Sequence, residues 1–357
     1  MIWFYRSDVT TYASEPFELH VLDVGQGQCV LVKMDDRFIL IDGGGRASSS
    51  FVVSYLKKLN INKLDCIAVS HYDEDHMSGI IGVLNVFSCD TLLVPGYAGG
   101  GELYQSLAVA ALSNGCCILH PSIGTTFEEG NGIVEVIGPV RNDYPTDNDM
   151  SLCFRLGYDN VHCLVCGDAE QSSEIDMVNS GLDLSGEIYI VDHHGSSTSS
   201  IDAFLDEIKP SYAVISCGRE NSYGHPAIET MQRLQNHDVS IFRTDDQGTV
   251  VAYSDGIDLW FSTSPSDNRS SGSGSVLFFD DSVPDSNDET ISREIPEQTD
   301  KEQNDEYRYV CNTNTKKFHY PDCKSVSKMK SENRLFTNMS REELLTEGYE
   351  PCGNCNP

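Results

Sequence analysis

The sequence has no apolar run long enough to cross a bilayer, and its first stretch, MIWFYRSDVTTYASEPFELHVLDVG, sets no basic start before a hydrophobic segment. The expectation is a soluble, cytoplasmic chain without membrane contact. Basic residues are scarce: 24 Lys and Arg stand against 55 Asp and Glu, for a net charge of −31. A field of that sign excludes general electrostatic capture of nucleic acid, so any polyanionic substrate must be handled by metals and a few cations. An even disulfide framework is missing too. The 13 cysteines are odd in number, and most lie inside apolar runs such as LDCIAVS and VHCLVCGD. They read as buried thiols in a reducing compartment. There is no internal repeat.

What is present suffices for a core: 357 residues, 39% hydrophobic, enough for one large domain and a small one. Charge divides the chain. Residues 1–262 carry −24, residues 263–306 carry −9 and residues 307–357 carry +2. The middle segment is rich in Ser, Asp, Glu and Pro without hydrophobic periodicity, and reads as an acidic flexible linker interrupted by VLFF at 276–279. In the first segment the strand-like runs FELHVLDV, QCVLVKM and RFILID come early. Strands then alternate with helices expected near 48–60, 78–88, 101–113, 169–180, 200–207 and 225–236. VSIFRT and GTVVAYS are expected to close the domain as a pair. Such a mixed order predicts an α/β fold with two sheets sandwiched between helices.

The stretch AVSHYDEDHMSG, residues 68–79, concentrates His71, Asp73, Glu74, Asp75 and His76 just after an apolar run. Carboxylates this close repel, so the loop is either fully solvated or built around a cation. The mixture of imidazoles and hard oxygens from His71, Asp73, Asp75 and His76 suits zinc, manganese or iron better than calcium. Three further clusters fall at strand ends: Asp168 in CGDAE, His193 and His194 in VDHHGSSTS, and His225 in NSYGHP. A turn or helix cap is the ordinary explanation of the first, and a helix start of the last. Adjacent histidines before Gly-Ser have no equally simple one.

Taken in order, LHVLDVGQGQCVLV, ILIDGGG, SHYDEDH, NDMSLCFRL, CGDAE, VDHHGSSTS and NSYGHP resemble the motifs of the metallo-β-lactamase superfamily. Within it they resemble the hydrolase domain of the ComEC competence DNA-uptake proteins and their stand-alone relatives. The resemblance covers residues 17–262. It implies a four-layer αβ/βα sandwich holding two divalent metals, zinc or manganese, at one edge of the sheets. His71 and Asp73 are implied for one metal, Asp75, His76 and one of His193 and His194 for the other, and Asp168 as the bridge. His193 is taken as the ligand and His194 as a catalytic group. Asp42 is implied to orient the ligand loop. Asn148, Asp149 and Ser151 stand where the family has a further histidine, which leaves one site oxygen-rich and short of a ligand. Such a metal pair lowers the pKa of a bound water to about 7 and so supplies the nucleophile. Asp75, His194, His225 and Arg219 are the candidates for catalysis, the last as a clamp on a phosphate.

The last segment offers His319-x3-Cys323 and Cys352-x2-Cys355, two ligand pairs with zinc spacing, in about 50 residues that cannot build a sufficient core alone. A structural zinc is expected there. Residues 307–357 resemble the metal-binding domain of Ada-type alkylation-repair proteins, with His319 where that family has a cysteine. Lys316, Lys317, Lys324, Lys328 and Lys330 form a basic cluster that either contacts nucleic acid or is a solvated face. The leading functional expectation is a metal-dependent phosphodiesterase, a nuclease acting on DNA or RNA. Hydrolysis of a small ester, lactone or nucleotide is the alternative, and a non-catalytic binding protein on the same scaffold is a third.

Overall fold

The computed structural model describes residues 15–263 and, beyond them, 309–320, 323–330, 333–337, 341–346, 348–352 and 355. They fall into two compact units, one on each side of a boundary between Val276 and Leu277. The expected linker, 263–306, lies outside the described residues except for Thr263, which ends a strand.

In the first unit an eight-stranded sheet is built from β1 (Phe17–Val21), β2 (Val30–Met34), β3 (Arg37–Ile41), β4 (Lys63–Ala68), β5 (Ser88–Leu93), β6 (Cys117–Leu119), β14 (Val250–Ser254) and β15 (Leu259–Thr263), in the order β15-β14-β1-β2-β3-β4-β5-β6. A seven-stranded sheet runs β13-β12-β11-β10-β9-β8-β7, comprising β7 (Thr126–Glu129), β8 (Gly132–Gly138), β9 (Cys153–Tyr158), β10 (Val161–Val165), β11 (Ile188–Ile190), β12 (Tyr212–Ile215) and β13 (Ser240–Arg243). Successive strand residues point to opposite faces. Phe17, Leu19, Val30, Val32, Ile39 and Ile41 therefore pack between the sheets against Phe154, Leu156, Cys163 and Val165. Leu31 and Leu40 turn outward against Val52 and Leu56 of α1 (Ser49–Lys58), Met77 and Ile80 of α2 (Glu74–Leu84), and Leu107 of α3 (Gly101–Asn114). On the other side Leu164, Tyr189 and Ile215 meet Met177 of α4 (Gln171–Asn179), Phe204 of α5 (Asp202–Ile208) and Leu234 of α6 (Ile228–Asn236). Strands buried on both faces explain the near-continuous apolar runs of the sequence. The result is a four-layer αβ/βα sandwich, as the resemblance implies.

Three local expectations differ. The helix placed at 78–88 starts at Glu74, so Asp75 and His76 sit in its first turn, where acidic residues favour the positive end of the helix. VSIFRT and GTVVAYS do not pair: β13 runs parallel to β12 in one sheet, while β14 runs antiparallel to β1 in the other. The edge strands β6 and β7 were not expected.

All thirteen cysteines are free thiols, and only Cys117 is exposed. Among the described residues no helix is long and apolar enough to cross a membrane. The second unit holds a four-stranded sheet, β18-β16-β17-β19, from β16 (Tyr309–Asn312), β17 (Lys317–His319), β18 (Arg334–Thr337) and β19 (Glu350–Pro351).

Candidate metal centre

Parallel neighbours β3-β4 and β10-β11-β12 end at one edge of the sandwich, and the polar residues that follow them meet there. Asp42 follows β3, His71 follows β4, Asp168 follows β10, His193 and His194 follow β11, and Ser216 follows β12. Helix α2 is brought in by backbone contact. Gly43 N–H donates to His76 O at 2.7 Å and Gly79 N–H to Gly44 O at 2.9 Å. A Cβ on Gly79 would lie 1.8 Å from Gly43 O, so only glycine allows this approach.

Each of three histidines is held by its Nδ1. His194 Nδ1 lies 2.9 Å from the Ser216 carbonyl, to which it must donate, leaving Nε2 as a lone pair. His76 Nδ1 lies 2.8 Å from Asp42 Oδ2. His71 Nδ1 lies 3.0 Å from Ser70 Oγ, whose own proton goes to Asp42. Asp42 is fully buried and also accepts from Gln28 Nε2 and the Ser70 N–H, so it orients the imidazoles and does not reach the centre. The free ends converge. His76 Nε2 and His194 Nε2 are 3.2 Å apart, and Asp168 Oδ1 lies 3.0 Å from the first and 3.4 Å from the second. Asp75 Oδ2 lies 3.5 Å from His194 Nε2. His71 Nε2 is buried without a hydrogen-bond partner, 3.9 Å from Asp168 Oδ2.

The donors therefore form two overlapping groups, His71, His76 and Asp168, and Asp75, His76 and His194, each with its ligand atoms within 4.8 Å of one another. Lone pairs facing one another at such distances require a cation between them. The electrostatics agree. Burial resists a charge on His76, yet Asp168 and Asp42 outweigh it and hold its pKa well above the usual value. Burial likewise opposes ionisation of Asp168 and Asp75, yet the surrounding histidines pull the first well below the usual range and the second to about 2. His71, by contrast, is pushed down to about 4 by burial and by His76, which keeps it a neutral ligand. The residues present fit divalent metal.

Some sequence expectations land differently. His194, not His193, joins Asp75 and His76, because Ser216 on the neighbouring strand fixes it. His193 instead sets Nδ1 3.2 Å from Glu170 and Nε2 3.7 Å from Asp168 Oδ2. Both histidines are left-handed, with φ of 49° and 55°. That conformation is costly for residues with a Cβ and persists only where the surroundings impose it. Asp73 lies at the rim, half exposed, 3.8 Å from His71 Nε2. Arg219 is exposed, and both its Nε and its Nη2 donate to the Asp245 carbonyl, which engages the group expected to clamp a phosphate. His225 stacks edge-on to His193 with ring centroids 5.4 Å apart, and burial and the neighbouring histidines push its pKa down to about 4. In the stretch that lacks the further histidine, Asp149 accepts from the Glu170 and Ser173 N–H groups, and Ser151 accepts from the Asp168 N–H. Both shape the Asp168 turn and neither joins a donor group.

Glu174 and Asp192 were not singled out by sequence. Both are fully buried, and they face each other. Burial pushes both carboxyls up. Glu174 accepts from the Ser200 and Ile201 N–H groups and Ser199 Oγ donates to Asp192 O, which pins the loop that carries His193 and His194.

The metallo-beta-lactamase superfamily profile matches residues 22–219. The chain belongs to the metallo-beta-lactamase superfamily. Competence protein ComA of Neisseria gonorrhoeae is 31% identical over 232 residues, covering 64% of this chain and 31% of that protein. ComE operon protein 3 of Bacillus subtilis is 26% identical over 251 residues, covering 65% and 32%. This chain thus spans about a third of the length of the curated relatives it matches. The solved metallo-beta-lactamase fold protein YhfI from Bacillus subtilis aligns with a TM-score of 0.43 at 14% identity, over 68% of this chain and 99% of that one. The superfamily fold binds divalent metals, and the first unit carries that fold.

In the second unit His319, Cys323, Cys352 and Cys355 also bring their ligand atoms within 4.8 Å of one another. His319 Nδ1 is buried without a hydrogen-bond partner. Two pairs of this spacing fit a tetrahedral zinc.

Proposed function

We propose that the first unit is a metal-dependent phosphodiesterase acting on DNA or RNA. The observation that carries the reading is the buried junction of His76, His194 and Asp168, where imidazole nitrogens and a carboxylate are held together in a site that demands positive charge. Bound there, zinc or manganese would supply a water of lowered pKa and offset the charge that builds on a phosphoryl oxygen. Asp168 belongs to the first donor group and its Oδ1 also lies 3.4 Å from His194 of the second, while His76 is common to both. Asp73 and Asp75 add oxygen donors, which suit manganese as well as zinc. His225, neutral at pH 7, stands beside His193 at the rim, where it can donate to a phosphate oxygen or move a proton. Relatives named for competence, and one named Recombination protein 2, support a nucleic-acid substrate. In the second unit a zinc serves structure, and the exposed Lys316, Lys317 and Lys328 supply cations that the acidic first unit lacks for contact with a nucleic-acid strand.

The test is elemental analysis of the purified chain, then incubation in zinc or manganese with single-stranded DNA, double-stranded DNA, RNA, bis(p-nitrophenyl) phosphate and a lactone. Metal-dependent cleavage of a nucleic acid is expected. Turnover of the lactone with every phosphodiester left intact would overturn the reading.

A further inference from the structure

One aromatic ring at the rim of the metal centre has no part in holding it. Tyr223 is 70% exposed, and its ring stacks on His225 with centroids 5.7 Å apart and planes 28° from parallel. His225 in turn meets His193 edge-on, so the three rings make a short wall beside Asp168. The loop presenting Tyr223 is stapled by one side chain. Asn221 Oδ1 accepts from the Tyr223 N–H at 3.1 Å and the His225 N–H at 3.0 Å, while Asn221 Nδ2 donates to Gly218 O at 2.9 Å and His225 O at 2.6 Å. Gly218 sits against the 25–27 loop, its N–H donating to Gln26 Oε1.

An exposed tyrosine is ordinary on a protein surface, where it moves freely. This one is held upright, one face on His225 and the other open to solvent. A planar ring fixed beside a phosphodiester-cleaving centre offers what a base needs, because every base has a π-face and stacking is indifferent to charge. That indifference matters in a segment of charge −24, where a basic groove is not available to track the strand. We propose that Tyr223 is the stacking platform for a nucleobase next to the scissile phosphate, which makes the preferred substrate an unpaired strand whose bases can turn out to meet it. The proposal rests on the phosphodiesterase reading.

The experiment measures binding, so that it does not depend on turnover. The full chain carrying Asp75→Asn is titrated into a short labelled oligothymidylate and into the matching strand of abasic residues. Oligothymidylate is expected to bind at least about tenfold more tightly than the abasic strand. Tyr223→Ala should erase that difference, and Tyr223→Trp should keep or widen it. Equal binding of the two strands overturns the platform, as does a Tyr223→Ala loss shared equally by both, which would mark a structural role. Hydrolysis by the chain without substitutions is read separately. Base-dependent binding without hydrolysis keeps the platform and defeats the phosphodiesterase reading, whereas hydrolysis with base-independent binding does the reverse.

Discussion

The two donor clusters of this chain use metal in opposite ways. In the first unit the ligands sit on strand-end loops and in the first turn of α2, at the edge of a sandwich whose three apolar clusters contain none of them. In the second unit Cys323 and Cys352 are themselves core residues, packed with Val310, Val326 and Met329, and the remaining described cluster is only Tyr309, Cys311, Phe318, Leu344 and Tyr349. A core that small does not hold a fold together without help. On the proposed reading, the same chain separates a metal that would do chemistry on a finished fold from a metal that would finish a fold. The supporting groups follow this division. The clustered imidazoles of the first unit are each tied back to Asp42, Ser70 or Ser216, whereas the thiols of the second unit are placed by close spacing along the chain.

The largest effect expected is therefore in the second unit. Cys352→Ser should unfold the second unit, because structural zinc contributes about 10–16 kcal/mol in isolated finger peptides and the described apolar clusters of the unit are too small to replace it. Amide exchange should show protection lost throughout the second unit and kept in β1–β5. Protection retained in β16 and β17 would break the comparison. In the first unit His71→Ala or Asp75→Ala should remove hydrolysis while leaving the unfolding midpoint nearly unchanged, since neither side chain belongs to an apolar cluster. The loss should exceed the roughly 10–100-fold typical of removing a residue that only orients a ligand. A third pair of variants grades the centre itself. Asp168→Ala should deplete metal more than Asp42→Asn, because Asp168 presents its carboxylate directly to His71, His76 and His194 whereas Asp42 acts through His76 and Ser70. Equal metal content in the two would tell against Asp168 as a direct ligand.

How much of this was legible in sequence follows the same division. The zinc pairs and the SHYDEDH loop could be read because their ligands are close along the chain. The choice between His193 and His194 could not, since adjacent histidines in identical left-handed conformations are told apart only by the Ser216 carbonyl from another strand. Glu174 and Asp192 were missed because a carboxyl on a helix pattern and one before two histidines carry no local sign that they are buried together. The four-layer order came through from alternating strands and helices, whereas β6 (CIL) and β7 (TFEE) were too short or too polar to show. The start of α2 was misplaced because its first turn is the acidic cluster itself, which reads as loop until the backbone contact with Gly43 is seen.

The smallest effect concerns what holds the first unit without metal. Glu174 is buried, and burial pushes its carboxyl up from 4.5 to about 7 against the N–H groups of Ile201 and Ser200, the facing Asp192 and the nearby Arg233. The folded state therefore binds a proton that the unfolded chain has released over that interval. Its contribution to stability is full below about pH 4.5 and is lost as pH rises through about 7, since stability falls with pH wherever the folded state holds more protons. Asp192→Asn offers Glu174 a permanent N–H donor and removes the second buried carboxyl. Chelator-treated protein with Asp192→Asn should match the parent in urea unfolding at pH 4.5 and be more stable than it at pH 8. With Cys352→Ser placed in both proteins, the second unit is expected to be unfolded throughout, so that the measured transition belongs to the sandwich. Parallel pH profiles for the two proteins would show that Asp192 has no part in the pH dependence, and that the loop bearing His193 and His194 is pinned by its backbone contacts alone.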